Sequence, residues 1–376
     1  MVSTKVYMLV FLVKTFIHLV TYIFLHPRHG TFMAFVDHHC TCMRSLGRTF
    51  GTMPSPGEPI HGHRTLRSIH IHIVCAFIIP REYINSDINC DVNCNLTVFL
   101  IPYWPYSGGY LQYYQLIEYD IANDAIIDYG EDYISSTLNN SHGEYGLGVY
   151  YTQIDPSTLY LIDMLGDAIN VYDLQSLSYD RLNTTIPFDV SYYSCIASSD
   201  STLYITGGYS NQNGTLDRLQ VLNLEDLSWL QRAPSMNYER YQHGCIVVNG
   251  NGNHKLWAIA GAYEESVEFV STTDIEDRPW KKSGSLSCGL SFFGVTAFGD
   301  TIFIVGGNCY GTTIRPDTVY TIDSVTNSIR THKDALPFGV SGMPVVLVGN
   351  TIYGFGGYDG KNVLDSWMTL DLLCTL

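Results

Sequence analysis

Charge is what this sequence has least of. Asp, Glu, Lys and Arg make up 15% of its 376 residues, and Lys plus Arg number 20 against 36 Asp plus Glu. The shortage of cations is sharper beyond residue 81. Residues 1–81 hold eight Lys/Arg against Asp37 and Glu58, a balance of +6 that leaves about −22 for the rest. Nucleic-acid binding draws on clustered cations that displace counterions, and this acidic body lacks them. Nucleic acid is therefore excluded as the main partner, in favour of cationic or neutral partners. Cysteine is also sparse: ten are too few for a disulfide scaffold of this length, and no CxxC pair flanks a metal loop. Helix formers are scarce beside β-formers, with 28 Tyr, 16 Phe and 33 Gly, a balance that favours short strands joined by tight turns.

The first 81 residues lack any sustained period. Val6–Leu25 (VYMLVFLVKTFIHLVTYIFL) is nearly long enough to span a bilayer, interrupted by Lys14 and His18, and no small-residue cleavage site follows it. It reads as a potential signal anchor. The stretch from His26 to Pro80 mixes His, Arg, Pro and Gly and reads as an irregular extension, so residues 1–81 are set apart from a folded body at 82–376. The string Asp37-His38-His39-Cys40 matches the tetrad of the protein palmitoyltransferases but lacks their Cys/His-rich flanks, and reads as a coincidental polar tract. His61, His63, His70 and His72 have no partners at metal-ligand spacing. Asp87–Asn93 imitates the start of a calcium loop but has Val92 where the turn needs Gly and Val98 where the bidentate Glu belongs. No metal and no cofactor are expected.

Self-similarity is the informative feature. A hydrophobic strand ending in a turn-like pair recurs as YLIDMLG (160–166), LYITGGYS (203–210), LWAIAGAY (256–263), IFIVGGNC (302–309) and IYGFGGYD (352–359). A second strand follows each, with an earlier copy ahead of them all: LIEYD, INVYD, LQVLN, EFVST, VYTID and WMTLD. Taking Asp120, Asp173, Asn223, Thr272, Asp323 and Asp371 as equivalent, the steps are 53, 50, 49, 51 and 48 residues. A period near 50 is that of one four-stranded propeller blade. The double glycine, the Arg240-x-x-His243-Gly244 segment and Trp229 and Trp280 make the pattern resemble the kelch repeat, over about residues 85–376.

The resemblance implies an all-β, kelch-type β-propeller of six four-stranded blades. Seven is the alternative, because the pair is Leu165-Gly166 in one copy, Ala260-Gly261 in another, and missing in the first. Gly207, Gly208, Gly261, Gly306, Gly307, Gly356 and Gly357 then serve structure, where backbone needs positive φ or close approach, and Trp229 and Trp280 cover one blade against the next. The sequence stops after a third strand, so a segment around His70–Ile79 or Glu82–Asp87 is expected to pair there and close the ring. Cys195 and Cys245, fifty residues apart in first strands, read as buried thiols without a bridge; Cys90 and Cys94 could pair or stay free.

Loops between second and third strands carry the binding candidates: Tyr209, Arg218, Tyr263, Glu264, Glu265, Tyr310, Arg315, Tyr358, Asp359 and Lys361. Arg240 and His243 read as structural hydrogen-bonding residues. The expected function is a scaffold that recognises a protein partner through one propeller face, without catalysis. The alternatives are a secreted or membrane-anchored glycan-binding or adhesion propeller and, behind it, a carbohydrate-active enzyme or oxidase of the same fold. The enzymes would need a Cys–Tyr cross-link with two histidines, against His142, His243, His254 and His332 in different blades, or a carboxylate and Arg such as Glu264 and Arg315 converging on the channel. Four sequons, at Asn95, Asn139, Asn183 and Asn213, leave the location open between cytoplasm and secretory pathway.

Overall fold

The computed structural model describes residues 194–372 with a few gaps of one or two residues, and before them segment 178–187 and the strands Met43–Leu46, His72–Pro80, Leu96–Tyr103, Tyr113–Asp120, Ala125–Ile134, Tyr150–Asp155, Thr158–Ile162 and Ile169–Asp173. Val6–Leu25, the Asp37–Cys40 tetrad, Asp87–Asn93, Cys90, Cys94, Asn95, Asn139 and His142 lie outside the described residues. The described residues contain no α-helix and no helix long and apolar enough to cross a membrane.

Six antiparallel sheets of three or four main strands succeed one another among the described residues. Each starts with a strand paired to its sequence neighbour, then a third and usually a fourth strand outward. The fourth sheet illustrates the register: Gly244–Gly250 pairs with Asn253–Ile259, which pairs with Ser266–Ser271, which pairs with Lys281–Ser285. First strands of successive sheets lie side by side. Tyr150–Asp155 meets Cys195–Ser199, then Gly244–Gly250, Gly294–Phe298 and Val345–Val348 follow in order, and the last meets His72–Pro80 of the first sheet. The first and second sheets meet through Ala125–Ile134 and Ser178–Arg181, so the order of contact returns on itself, which is a propeller ring.

Alternation along the second strands builds the ring's core. Leu203 and Ile205 pack with Ile169 of the preceding sheet, whereas Tyr204 between them packs with Cys245, Leu256, Ala258 and Val270 of the following one. The same switch repeats one sheet on, where Trp257 and Ile259 turn to Ile302, Ile304 and Tyr320. Phe303 and Val305 then turn to Val345, Ile352 and Met368. A strand's side chains point alternately to its two faces, so each sheet buries one face against each neighbour and none can do so alone. Each such fully buried aliphatic or aromatic side chain contributes about 1.5–3 kcal/mol of transfer free energy.

The glycine pair has a specific geometry. Gly208 N–H donates to the Arg240 carbonyl at 2.8 Å and Gly307 N–H to the Val340 carbonyl at 2.7 Å, so each pair grips the chain just before the next first strand. Gly207 and Gly306 have φ of +55° and +67°, and a Cβ on either would run into that same carbonyl oxygen. Ala260 occupies the equivalent place in the fourth sheet at φ +48°, a conformation costing roughly 1–2 kcal/mol in a non-glycine residue.

Four differences from the sequence reading have physical causes. The strand pairing to the outer side of Trp367–Asp371 is Met43–Leu46, with Met43 opposite Leu370 and Leu46 opposite Trp367. His72–Pro80 is instead the first strand of the first sheet, paired with Leu96–Tyr103, so strands begin ahead of the boundary drawn at residue 82. A four-residue closing strand has no period to read, and its place is set by a partner more than 300 residues away. Pairing also shifts the fourth repeat by one: Lys255 faces Ser271, as Thr202 faces Asn223 and Thr301 faces Asp323, so Ser271 is the equivalent position and not Thr272. Two adjacent small polar residues gave no pattern to choose between. The third sheet carries only an isolated bridge, Leu222 to Trp229, in place of a regular fourth strand.

The fourth correction concerns cysteine. Cys195 and Cys245 are joined in a disulfide, their Cα atoms 5.8 Å apart, within the range a bridge spans. Positions one repeat apart looked distant when each blade was considered separately. First strands converge at the ring's inner wall, and that convergence brings the two sulfurs together.

Candidate functional site

Second strands end at the edge where first strands begin, as Thr206 opposite Cys195 and Val305 opposite Gly294 make plain. The connections after the glycine pairs and the segments leading into first strands therefore share one edge of each sheet. The bases of these loops are fixed by buried polar groups. Arg240, fully buried, donates through Nη1 to the carbonyls of Ala260 (2.8 Å) and Ser266 (3.0 Å), and through Nη2 to Ser266 Oγ (3.0 Å) and Glu268 Oε1 (2.7 Å). The other carboxylate oxygen of Glu268 accepts from the backbone N–H and side-chain amide of Asn237, at 3.0 and 2.7 Å. Burial lowers the Arg240 pKa and the Glu268 charge beside it opposes that shift. His243 Nε2 is 2.8 Å from Thr206 Oγ1, and burial followed by the Arg240 charge holds its pKa well below the usual imidazole value, so the ring is neutral. These groups tie the segment before Gly244 to its neighbours and are sealed from solvent.

Above them stand the tyrosines. Tyr209 and Tyr241 have ring centroids 5.8 Å apart, Tyr241 and Tyr310 meet edge to face at 6.0 Å, and Tyr310 and Tyr263 meet edge to face at 4.4 Å. The Tyr241 hydroxyl donates to that of Tyr310 at 3.0 Å. Three of these rings follow the glycines of successive sheets, and Tyr241 comes from the segment between Arg240 and His243. Tyr209 is 38% exposed and Tyr263 79% exposed, the latter on a backbone at φ +61°. An exposed aromatic ring held on a left-handed backbone departs from what solvation and local sterics favour. The Tyr263 hydroxyl has its pKa raised, first by the charge that would form on Tyr310 and then by their hydrogen bond.

A second group lies farther along. The Arg315 guanidinium carbon sits 4.6 Å over the Tyr358 ring, its Nε donates to Ser341 Oγ at 3.1 Å and its Nη1 to the Thr313 carbonyl at 3.2 Å. Asp359 Oδ1 accepts from the backbone N–H groups of Asn362 (2.6 Å) and Lys361 (2.7 Å), bonds that hold its pKa below the ordinary carboxylate value. Lys361 is exposed at the tip of this turn.

The sequence candidates thus divide. Tyr209, Tyr263 and Tyr310 come together, as do Arg315 and Tyr358, with Asp359 and Lys361 in the adjoining turn. Arg218 is half-buried and its carbonyl accepts from Gly207 N–H at 2.8 Å. Glu264 Oε1 accepts from the Ser266 backbone N–H at 2.7 Å, and Glu265 is exposed beside it. Trp229 and Trp280 reach backward across the ring, Nε1 of the first donating to Thr184 Oγ1 and of the second to the Pro234 carbonyl, both at 3.0 Å. Tyr241, Asn237 and Glu268 were not singled out from the sequence. Tyr241 sits inside the Arg240-x-x-His243 signature, where the eye stops at the flanking residues. Glu268 is a charged residue at a position that is Gln220 and Tyr320 in neighbouring sheets, and that oddity was the available signal. Among the described residues no group of three or more His, Cys, Asp or Glu could hold a metal ion.

No family model matches the chain. It is similar to the kelch repeat and BTB domain-containing protein 2 of cowpox virus, 25% identical over 158 residues, which are 42% of this chain and 27% of that protein. Human kelch-like protein 23 is 29% identical over 160 residues, 41% of this chain and 27% of its own length. The repeats are kelch repeats. The kelch relatives are matched over little more than a quarter of their lengths. The solved structure of YjhT superposes with a TM-score of 0.44 at 17% identity, over 56% of this chain and 72% of the other.

Proposed function

We propose that this kelch chain is a non-catalytic binding module that recognises a protein partner through the loop edge carrying Tyr209, Tyr241, Tyr263 and Tyr310. The observation that carries this reading is the exposed Tyr263 ring, held on a left-handed backbone and braced edge to face by Tyr310. Aromatic rings immobilised before binding lose little entropy on association and are enriched among the residues that dominate interface energy. Exposed Glu265 beside them and the acidic body favour a partner segment carrying Lys or Arg, which an aromatic face also attracts. Buried Arg240, Glu268 and His243 fit this reading as loop supports, since each is bonded internally and closed to substrate. A glycan ligand would use the same rings by stacking and is the second reading.

The test is affinity for the partner copurifying with the protein from its native source, measured for the natural chain and for Tyr263→Ala. A five- to thirty-fold weakening is expected, about 1–2 kcal/mol. Unchanged affinity in a folded variant would move the site elsewhere.

A further inference from the structure

The four cysteines whose side chains the structure describes are all consumed in two bridges, Cys195–Cys245 between adjacent sheets and Cys288–Cys309 across the loops beside Tyr310. Their Cα separations of 5.8 and 5.6 Å need no backbone movement to close. Such bridges persist where the environment is oxidising and are kept reduced in an ordinary cytosol. An independent observation points the same way. Both N-x-Ser/Thr sequons within the described residues, Asn183-Thr184-Thr185 and Asn213-Gly214-Thr215, present an exposed asparagine. Asn213 sits at the tip of the hairpin formed by Tyr209–Ser210 and Gly214–Thr215, and around Gly214 there is open space in the direction a side chain would take.

We infer that this chain matures in an oxidising, glycan-adding compartment, where both bridges close and Asn183 and Asn213 receive N-linked glycans. Each bridge forms one S–S bond from two S–H bonds, and the two electrons and two protons pass to a protein disulfide that is reduced to a dithiol. Each glycan forms a bond from the asparagine side-chain nitrogen to the sugar anomeric carbon. The anomeric C–O bond of a lipid-diphosphate oligosaccharide breaks, the lipid diphosphate leaves, and the amide loses one proton. A glycan on Asn213 would stand on the hairpin that carries Tyr209, so the same edge would bear both the tyrosines and a sugar rim.

The experiment uses the protein from its native cells, with free thiols blocked by N-ethylmaleimide before lysis. It is then digested without reduction and treated with peptide N-glycosidase in ¹⁸O-water. Cross-linked peptides joining Cys195 to Cys245 and Cys288 to Cys309, with ¹⁸O-labelled Asp at positions 183 and 213, are the expected result. N-ethylmaleimide on those four cysteines would overturn the compartment assignment. Bridges with unmodified Asn183 and Asn213 would overturn the glycan sites. Neither outcome depends on whether Tyr263 binds a partner.

Discussion

Arg240 makes four side-chain hydrogen bonds in one place: two carbonyls, a hydroxyl and a carboxylate converge on its guanidinium with no exposure to water. A buried pair of this kind adds little over a well-packed apolar replacement, yet removing one member leaves the other charged and unpaired. Arg240→Met is therefore expected to cost about 3–5 kcal/mol in a urea unfolding curve. Arg240→Met with Glu268→Leu should recover much of that loss. His243 makes a pH-dependent contribution of known sign. Its folded pKa is depressed by burial and by Arg240. As pH falls below about 6.5 the unfolded chain binds a proton that the folded chain refuses, so stability falls. As pH falls through about 6.5 the natural chain should lose stability faster than His243→Gln, with a difference in slope that approaches about 1.4 kcal/mol per pH unit, read from unfolding midpoints. At this scale the sequence showed Arg240 and His243 as a structural pair. It did not show Glu268, whose partner lies 28 residues away in the segment leading into Gly244–Gly250.

At the scale of elements, legibility followed the repeat. Strands ending in the glycine pair and their third-strand partners could be located because five copies of the first and six of the second reinforce one another, and the pairing follows them with a one-residue shift at Ser271. What depended on distant partners could not be read: the inter-sheet bridge at Cys195–Cys245, and the closing strand Met43–Leu46, which has no copy to be compared with. That strand covers the outer side of Trp367–Asp371, an edge otherwise left with unpaired N–H and C=O groups. Removing residues 1–46 is expected to speed amide exchange at Met368–Leu370, measured by hydrogen–deuterium exchange, while Ile302–Val305 in the fifth sheet stays protected. Equal protection in both forms would contradict the pairing of the two strands.

For the whole molecule, the ring sets which side chains can act together. Tyr209, Tyr263 and Tyr310 were legible as loop residues because each follows a glycine of the repeat. Their convergence with Tyr241 was not, because it depends on how three sheets are rotated about one axis. The two edges of the ring differ: turns between third and fourth strands, such as 324–328, lie opposite the tyrosines, since Val319 pairs with Val305 at one end and Asp323 with Thr301 at the other. Thr326, exposed in that turn, is the natural control position. The central claim is partner recognition by the tyrosine edge, and site-specific photo-cross-linking tests it most directly, with p-benzoylphenylalanine placed at position 263 in one protein and at 326 in another. The account predicts one discrete partner adduct from position 263 and none from position 326. An adduct from 326 alone, or equal adducts from both, would contradict it.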